Sequence, residues 1–282
     1  MLSAFSLGDV PLAELEMLAA GLVLTGALTG ILAGVFGVGG GAIIVPVIYE
    51  MFRMMHVPDD VRMALCVGTS LAVIIPTSVR SFSSHKARGT VDMTILRRWL
   101  VPILIGVLLG SWIARFANPN LFKAIFVFVA SLSAVRLLGG LQLSFGDELP
   151  DHFLMHIYGV IIGLLSALMG IGGGQLSSMV MSFYKKPIHQ IVSTSSGVGI
   201  LISVPGTIGY MLAGYGKMGL PPFSIGFVSL LGLILFAPIS ILTAPLGVRI
   251  AHALSKRALE IAFGCFLVLV ASRFAFSLVL GN

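Results

Sequence analysis

Long apolar runs separated by short polar loops set the pattern of this chain. Residues 17–36 are apolar over the roughly 20 positions with which a helix crosses a hydrocarbon core. Similar runs occupy 63–84, 99–116 and 120–141, whereas the run from Ala42 to Phe52 is too short to cross. The pattern therefore predicts a spanning helix, a returning half-helix and three further membrane segments in the first half.

Two glycine clusters, Gly37 to Gly41 and Gly170 to Gly174, interrupt the apolar runs. Each glycine disfavours a helix interior by about 1 kcal/mol, so we expect the helix to break at both places. Inside a bilayer, non-helical backbone survives only where protein or a water-filled cavity satisfies its polar groups. We therefore expect the two breaks to form facing walls of one internal site.

The second half of the chain repeats the order of the first. The two glycine clusters lie 133 positions apart, and the same offset relates Gly30 to Gly163. The offset is 125 between the Thr-Ser pairs at 69–70 and 194–195. Later in the chain the offset is 137, as between Gly110 and Gly247. Ordered agreement of this kind indicates a duplication. The predicted divisions are an N-terminal extension (1–16), a first repeat (17–141), a linker (142–153) and a second repeat (154–280).

Composition places the chain in a membrane. Hydrophobic residues make up 57% of it and charged residues 10%, with a mean hydropathy of +1.06. Soluble domains carry about 25% charged residues, so the chain is a polytopic membrane protein. Its net charge of +6 comes from basic residues between apolar runs, which is a topology signal and does not predict nucleic-acid binding. The acidic N-terminus argues against a cleaved signal peptide, so the first apolar run should stay in the membrane.

Positive charge alternates between equivalent loops. The loop at 80–98 is rich in Arg and Lys, whereas its counterpart at 210–222 has only Lys217. Conversely, the loop at 53–62 has no positive excess, whereas its counterpart contains Lys185 and Lys186. Under the positive-inside rule, the halves face in opposite directions, the 80–98 loop is cytoplasmic and both termini are periplasmic.

We therefore expect an all-α polytopic membrane protein with two inverted structural repeats. Each repeat has about five membrane segments and opens with a broken or re-entrant helix pair. A parallel arrangement, with four crossings in each half, remains the alternative.

Half-helices that begin at Ala42 and Gln175 would direct free N–H groups and positive dipole ends into the membrane interior, which is an arrangement that binds anions. The Thr-Ser pairs add neutral hydroxyl donors, which suit a transporter because a buried lysine would hold an anion too tightly to release it. Helix packing for the glycines, and hydroxyl bonds to their own helices for the Thr-Ser pairs, are the alternatives. The predicted substrate-binding residues are Gly39, Gly40, Gly41, Thr69, Ser70, Gly172, Gly173, Gly174, Gln175, Thr194 and Ser195. Candidates for a mouth or coupling role are Arg80, His85 and Tyr210.

In their order, these motifs resemble the TauE/SafE family of sulfite and organosulfonate exporters, also called the 4-toluene sulfonate uptake permease family. The matching segments are Gly37 to Gly41, Gly68 to Ser70, His85 to Gly89, Val91-Asp92, Gly170 to Gly174, Thr194-Ser195, Gly209 to Gly214 and Leu220 to Pro222. Ser193, where the first half has Gly68, departs from the pattern, as does the loop Lys185-Lys186-Pro187. The resemblance implies a permease of the bacterial inner membrane for small sulfur-containing or organic anions, driven by a proton or ion gradient.

The function expected from these observations is secondary transport of small anions by alternating access, with sulfite or a sulfonate as the leading class. A passive anion channel is the alternative. An intramembrane enzyme is disfavoured, because no intramembrane protease motif lies in an apolar segment and no Cys/His/Glu cluster has metal-ligand spacing. We expect no cofactor, and the partners are the anion and the lipid bilayer.

Overall fold

The computed structural model describes residues 26–32, 35, 41–140, 144–146, 149–150 and 153–280. The predicted N-terminal extension, residues 1–16, lies outside the described residues, and so do Gly39 and Gly40 of the first glycine cluster.

Helices account for nearly all of the described chain. The helical residues 26–32 are denoted α1. The elements that follow are α2 (Gly41–Met54), α3 (Asp59–Ala87), α4 (Met93–Phe116), α5 (Pro119–Gly139), α6 (Phe153–Met169), α7 (Gly174–Phe183), α8 (Ile188–Ala213), β1 (Ser224–Ile225), β2 (Val228–Ser229), α9 (Leu230–Ala253) and α10 (Lys256–Leu280). The two strands form a small antiparallel hairpin between α8 and α9.

Six of the described helices are long and apolar enough to cross a membrane: α3, α4, α5, α8, α9 and α10. The prediction of a polytopic helical membrane protein is thereby confirmed. By contrast, α2 has 14 residues and α7 has 10, which at about 1.5 Å per residue is too short for a crossing. The most apolar part of α3 is 83% buried and that of α8 is 61% buried, against 39% for α5 and α10. Helices α3 and α8 therefore lie innermost.

The two inner helices cross in opposite directions. Near the start of α3, Gly68 lies against Tyr210 at the end of α8, with 2.9 Å between a Cβ built on the glycine and Tyr210 Cβ. Further along α3, Ser78 lies against Gly199, which precedes Tyr210 in α8. Because contacts advance along one helix as they recede along the other, the two helices are antiparallel.

The outer helices α5 and α10 also form an antiparallel pair. At one end Lys123 donates a hydrogen bond to Ser277 Oγ at 2.9 Å. At the other end the Arg257 guanidinium lies 3.2 Å from a Cβ built on Gly140. Lys123 is early in α5 and Ser277 is late in α10, so these helices also run antiparallel.

Glycines allow two further helix pairs to approach at backbone distance. Gly163 of α6 lies against the Ile103 carbonyl of α4, and Gly30 of α1 lies against Ser240 of α9. Gly30 and Gly163 are 133 positions apart, and Ile103 and Ser240 are 137 apart, which are the offsets found in the sequence. Each half of the chain thus contributes its first helix to a glycine contact with the other half.

The α4–α6 contact gives a first prediction. A Cβ at Gly163 would overlap the backbone oxygen of Ile103, which cannot turn aside as a side chain can. Gly163→Leu should lower the free energy of unfolding by about 2–3 kcal/mol through overpacking, seen as a lower thermal midpoint in detergent. The control is Ile161→Leu on the 45% exposed position two residues earlier. Equal midpoints for the two variants would contradict this packing.

Candidate functional site

The second glycine cluster forms a turn between α6 and α7. Gly170 and Gly173 have φ values of +68° and +71°, a left-handed conformation that costs other residues about 1–2 kcal/mol. The Ser177 amide donates to Gly173 O at 2.9 Å and makes the first backbone bond of α7. The preceding amides, at 174–176, therefore have no acceptor within their own helix.

The start of α2 lies directly against this turn. A Cβ built on Gly41 would lie 2.6 Å from Ile171 Cα and 2.7 Å from Gly170 O, so only a glycine hydrogen fits there. Ile74 of α3 packs 3.0 Å from the Cβ position at Gly41 and 2.6 Å from that at Gly172. Gly41, the described residue of the first glycine cluster, and the turn before α7 thus meet against the middle of α3.

The two predicted serines make different hydrogen bonds. Ser70 Oγ donates to Gly170 O at 2.8 Å, and this bond ties α3 to the turn before α7. Ser195 Oγ donates to Ile191 O of its own helix at 2.7 Å and lies 2.7 Å from Ser178 Oγ of α7. Ser195 therefore shows the bond to its own helix that was the alternative interpretation, whereas Ser70 bonds across to the glycine break.

The two predicted threonines accept hydrogen bonds from backbone amides that directly precede helices. Thr69 Oγ1 accepts from the Ser229 amide and Thr194 Oγ1 accepts from the Asp92 amide, both at 3.0 Å. Ser229 and Asp92 are 137 positions apart, which is one of the offsets found in the sequence. The two threonines thus anchor the chain just before α9 and α4.

Gln175, at the tip of α7, holds a buried amide oxygen without a hydrogen-bond partner in the described part of the chain. An unsatisfied buried polar atom costs about 1–3 kcal/mol. The oxygen and nitrogen of such an amide can exchange places by a flip. Either atom could therefore bind a polar ligand at the free end of α7.

Two buried serines, one on α3 and one on α8, were not predicted from the sequence. Ser78 Oγ occupies the space that a side chain at Gly199 would take, 2.6 Å from its Cβ position. Ser203 follows Ile202, which contacts Gly173, and its buried hydroxyl has no partner among the described residues. Their offset of 125 equals that of the Thr-Ser pairs, and this was the signal that could have found them.

His85 belongs to a polar network at one end of the inner helices. Its Nδ1 lies 3.1 Å from Ser193 Oγ, which lies 2.7 Å from Thr90 Oγ1. Close by, Gln190 donates to Asp92 at 2.8 Å, and Asp92 also caps α4. This network joins the α3–α4 loop to the start of α8.

Tyr210, the counterpart of His85, lies in a different environment. It is fully buried, and its hydroxyl donates to Ala167 O at 3.0 Å. This places it deeper than the predicted mouth, in a dense contact with Gly68. Arg80 is exposed on α3. Within the described residues, no group of three His, Cys, Asp or Glu side chains is placed to hold a metal.

Comparisons with known proteins agree on one class. A family model described as "Sulfite exporter TauE/SafE" matches residues 22–274. A probable membrane transporter protein of Haemophilus influenzae is 28% identical over 253 residues, covering 88% of this chain and 95% of that protein. Another, from Methanocaldococcus jannaschii, is 30% identical over 258 residues, covering 87% and 91%. No solved structure gives a significant match.

The turn before α7 gives a prediction with a matched control. Gly173 and Gly216 share a left-handed backbone, but a Cβ at Gly173 would overlap Ile202 Cδ1, whereas one at Gly216 meets nothing within 4 Å. Gly216→Ala should cost about 1–2 kcal/mol from backbone strain alone, and Gly173→Ala about 1–3 kcal/mol more, measured by thermal unfolding in detergent.

Ile202→Val supplies the second control, because it deletes only the overlapping Cδ1. Added to Gly173→Ala, it should recover most of the extra loss. If Gly173→Ala and Gly216→Ala are equally destabilising, the turn does not pack against α8 as described.

Proposed function

Since this chain belongs to the sulfite exporter TauE/SafE family, we propose that it is a secondary transporter of small anions. Sulfite, sulfonates and related sulfur-containing or organic anions are its proposed substrate class. The observation that carries this proposal is the contact between the start of α2 at Gly41 and the turn before α7. That contact brings the two glycine clusters of one membrane protein together.

The chemistry of the breaks suits a small anion. A helix N-terminus carries about half a positive charge together with free N–H donors. The amides at 174–176 and the side chain of Gln175 supply such donors at α7, and we assign the same role at α2 to the first glycine cluster. Neutral donors bind an anion without a fixed counter-charge, so release remains fast enough for turnover.

We also propose that the two halves are inverted repeats that expose this site alternately to the two sides of the membrane. The antiparallel crossings of α3 with α8 and of α5 with α10 support this arrangement, because each crossing joins equivalent helices. The glycine contacts at the offsets of 133 and 137 support it as well. By charge, the 80–98 loop is cytoplasmic and both termini are periplasmic. We assign the chain to the bacterial inner membrane from its resemblance to the family. A proton or ion gradient supplies the driving force.

The end of the bundle that contains His85 is the one that we expect to open. In its hydrogen bonds, His85, Thr90, Asp92 and Gln190 are partly exposed, whereas Ser193 is buried. Each bond is worth about 0.5–1.5 kcal/mol net, because water can replace it. At the opposite end, Tyr210 and Phe227 are buried against Gly68, and exposing a large apolar side chain costs about 1.5–3 kcal/mol. The polar end therefore separates at lower cost.

Flux into proteoliposomes tests the function. Sulfite uptake should saturate with concentration, as should uptake of any sulfonate that is a substrate. Gln175→Glu should reduce uptake by more than about tenfold, since two like charges 4 Å apart repel by about 4 kcal/mol at an effective dielectric constant of 20. Gln175→Met keeps the volume, loses one hydrogen bond and should cost about fivefold.

Each contrary result has a definite meaning. No anion-dependent flux under any imposed gradient would refute the transporter proposal. Conductance that rises without saturation would identify a passive anion channel instead. Full activity of Gln175→Glu would show that the tip of α7 does not bind the transported anion.

Alternating access makes a separate prediction at the polar end. The Thr90 and Ser193 hydroxyls are 2.7 Å apart, so we expect cysteines at both positions to form a disulfide on oxidation. In a background with Cys66 and Cys265 replaced by alanine, oxidation followed by removal of the oxidant should stop uptake of a sulfonate substrate, because the two ends of the inner helices can no longer separate. A sulfonate is used because sulfite itself cleaves disulfides. Dithiothreitol should restore uptake, and each single cysteine is a control. Undiminished uptake by fully cross-linked protein would show that this end does not open.

A further inference from the structure

Lys123 is a buried cation that the proposed transport site does not use. It lies on the second turn of α5 and is only 5% exposed. Its ammonium donates one hydrogen bond, to Ser277 Oγ of α10, and lies 5.6 Å from the centre of the Tyr49 ring of α2. Among the described residues, no carboxylate forms an ion pair with it.

Two carboxylates in this part of the fold are engaged by arginines. Glu50, next to Tyr49, pairs with Arg53 at 2.9 Å and with Arg273 of α10 at 3.1 Å. Asp59 pairs with Arg62, whose guanidinium lies 5.5 Å from the centre of the same Tyr49 ring. Among the described residues, these three arginines and Lys123 thus share two carboxylates, which leaves an excess positive charge of two.

One hydrogen bond and one aromatic contact do not offset the hydration that a buried ammonium loses. It has three N–H donors, of which Ser277 accepts one, and the face of Tyr49 offsets part of the charge. Buried charges in proteins are normally paired with an opposite charge. A small anion beside Lys123 would accept the remaining donors and neutralise part of the excess charge.

The duplicated half provides an internal comparison. The position equivalent to Lys123, 137 residues later, is Glu260. Arg273 has Arg136 as its counterpart, which lies over the Phe183 ring at 4.9 Å and donates to Ser182. Among the side chains that the structure describes, an arginine lies at both ends of the α5–α10 pair, and the buried Lys123 lies at one of them. A scaffold role shared by both repeats would not require that difference.

We propose that Lys123 and Ser277 form a second anion site, at the end of the bundle opposite His85, which takes a small inorganic oxyanion. Tyr49 is eight residues along α2 from Gly41, so the site lies about 12 Å from the glycine breaks. Arg273, whose side chain is 38% exposed, connects the site to the surface. The site binds its anion whether or not the chain transports it.

Sulfate binding to the full-length chain in detergent tests this site. The titration uses isothermal calorimetry at constant ionic strength, with gluconate as the balancing anion, so that general salt effects do not change. The titration is made with the Gln175→Glu variant, in which the added carboxylate should prevent sulfate from binding at the glycine-break site. Lys123→Met should weaken sulfate binding by at least about tenfold, the usual weight of a charge-assisted bond, and Ser277→Ala by about threefold.

Glu260→Gln is the matched control, because it alters the equivalent position in the other repeat and should leave sulfate affinity unchanged. Should Lys123→Met fail to purify as a monodisperse protein, Ser277→Ala carries the test. Unchanged sulfate affinity in the variants, or no binding to the Gln175→Glu chain, would overturn the second site. A lower thermal midpoint of Lys123→Met with unchanged affinity would assign Lys123 to packing alone. Flux in proteoliposomes reports separately on the transport proposal, so the two can fail independently.

Discussion

Backbone that leaves a helix within a hydrocarbon core must find its hydrogen bonds and contacts inside the protein. The turn before α7 meets this requirement through α3. Ser70 donates to the Gly170 carbonyl, Ile74 packs beside Gly172, and Gly41 approaches close enough to touch the turn. Such broken backbone is stable here only because the two longest inner helices enclose it. The amides at 174–176 have no acceptor within α7, and under the proposed function they are the donors of the anion site.

The architecture follows from composition and periodicity to a large extent. Apolar runs of membrane length predict the spanning helices, and the glycine clusters predict the breaks, because both depend on local chain properties. The offsets between Gly30 and Gly163, and between Ile103 and Ser240, relate residues that make similar glycine contacts. Residues 37–40 fall outside the described part of the chain, so Gly41, the first residue of α2, alone represents the first glycine cluster, and the break predicted there stays a prediction.

Side-chain roles could not be read from the same pattern. Tyr210 lies at the position 125 residues after His85. Tyr210 packs tightly against Gly68, whereas His85 contacts Ser193 and belongs to a polar network. The threonines resemble ligand donors, yet each accepts a bond from a backbone amide. A sequence offset shows which residues are equivalent, whereas partners across a helix interface depend on the fold. Lys123 was missed because a single lysine near a helix start resembles an interfacial residue.

The glycine contacts of α6 with α4, and of α1 with α9, link the two halves reciprocally. Each half presents a narrow glycine face that only a helix of the other half can cover. Because α6 is synthesised after α4 and α5, α4 enters the membrane before the helix that packs most closely against it. Completion of the native bundle is consequently a late event in biogenesis, and the order in which helices leave the translocon differs from the order in which they find their final neighbours.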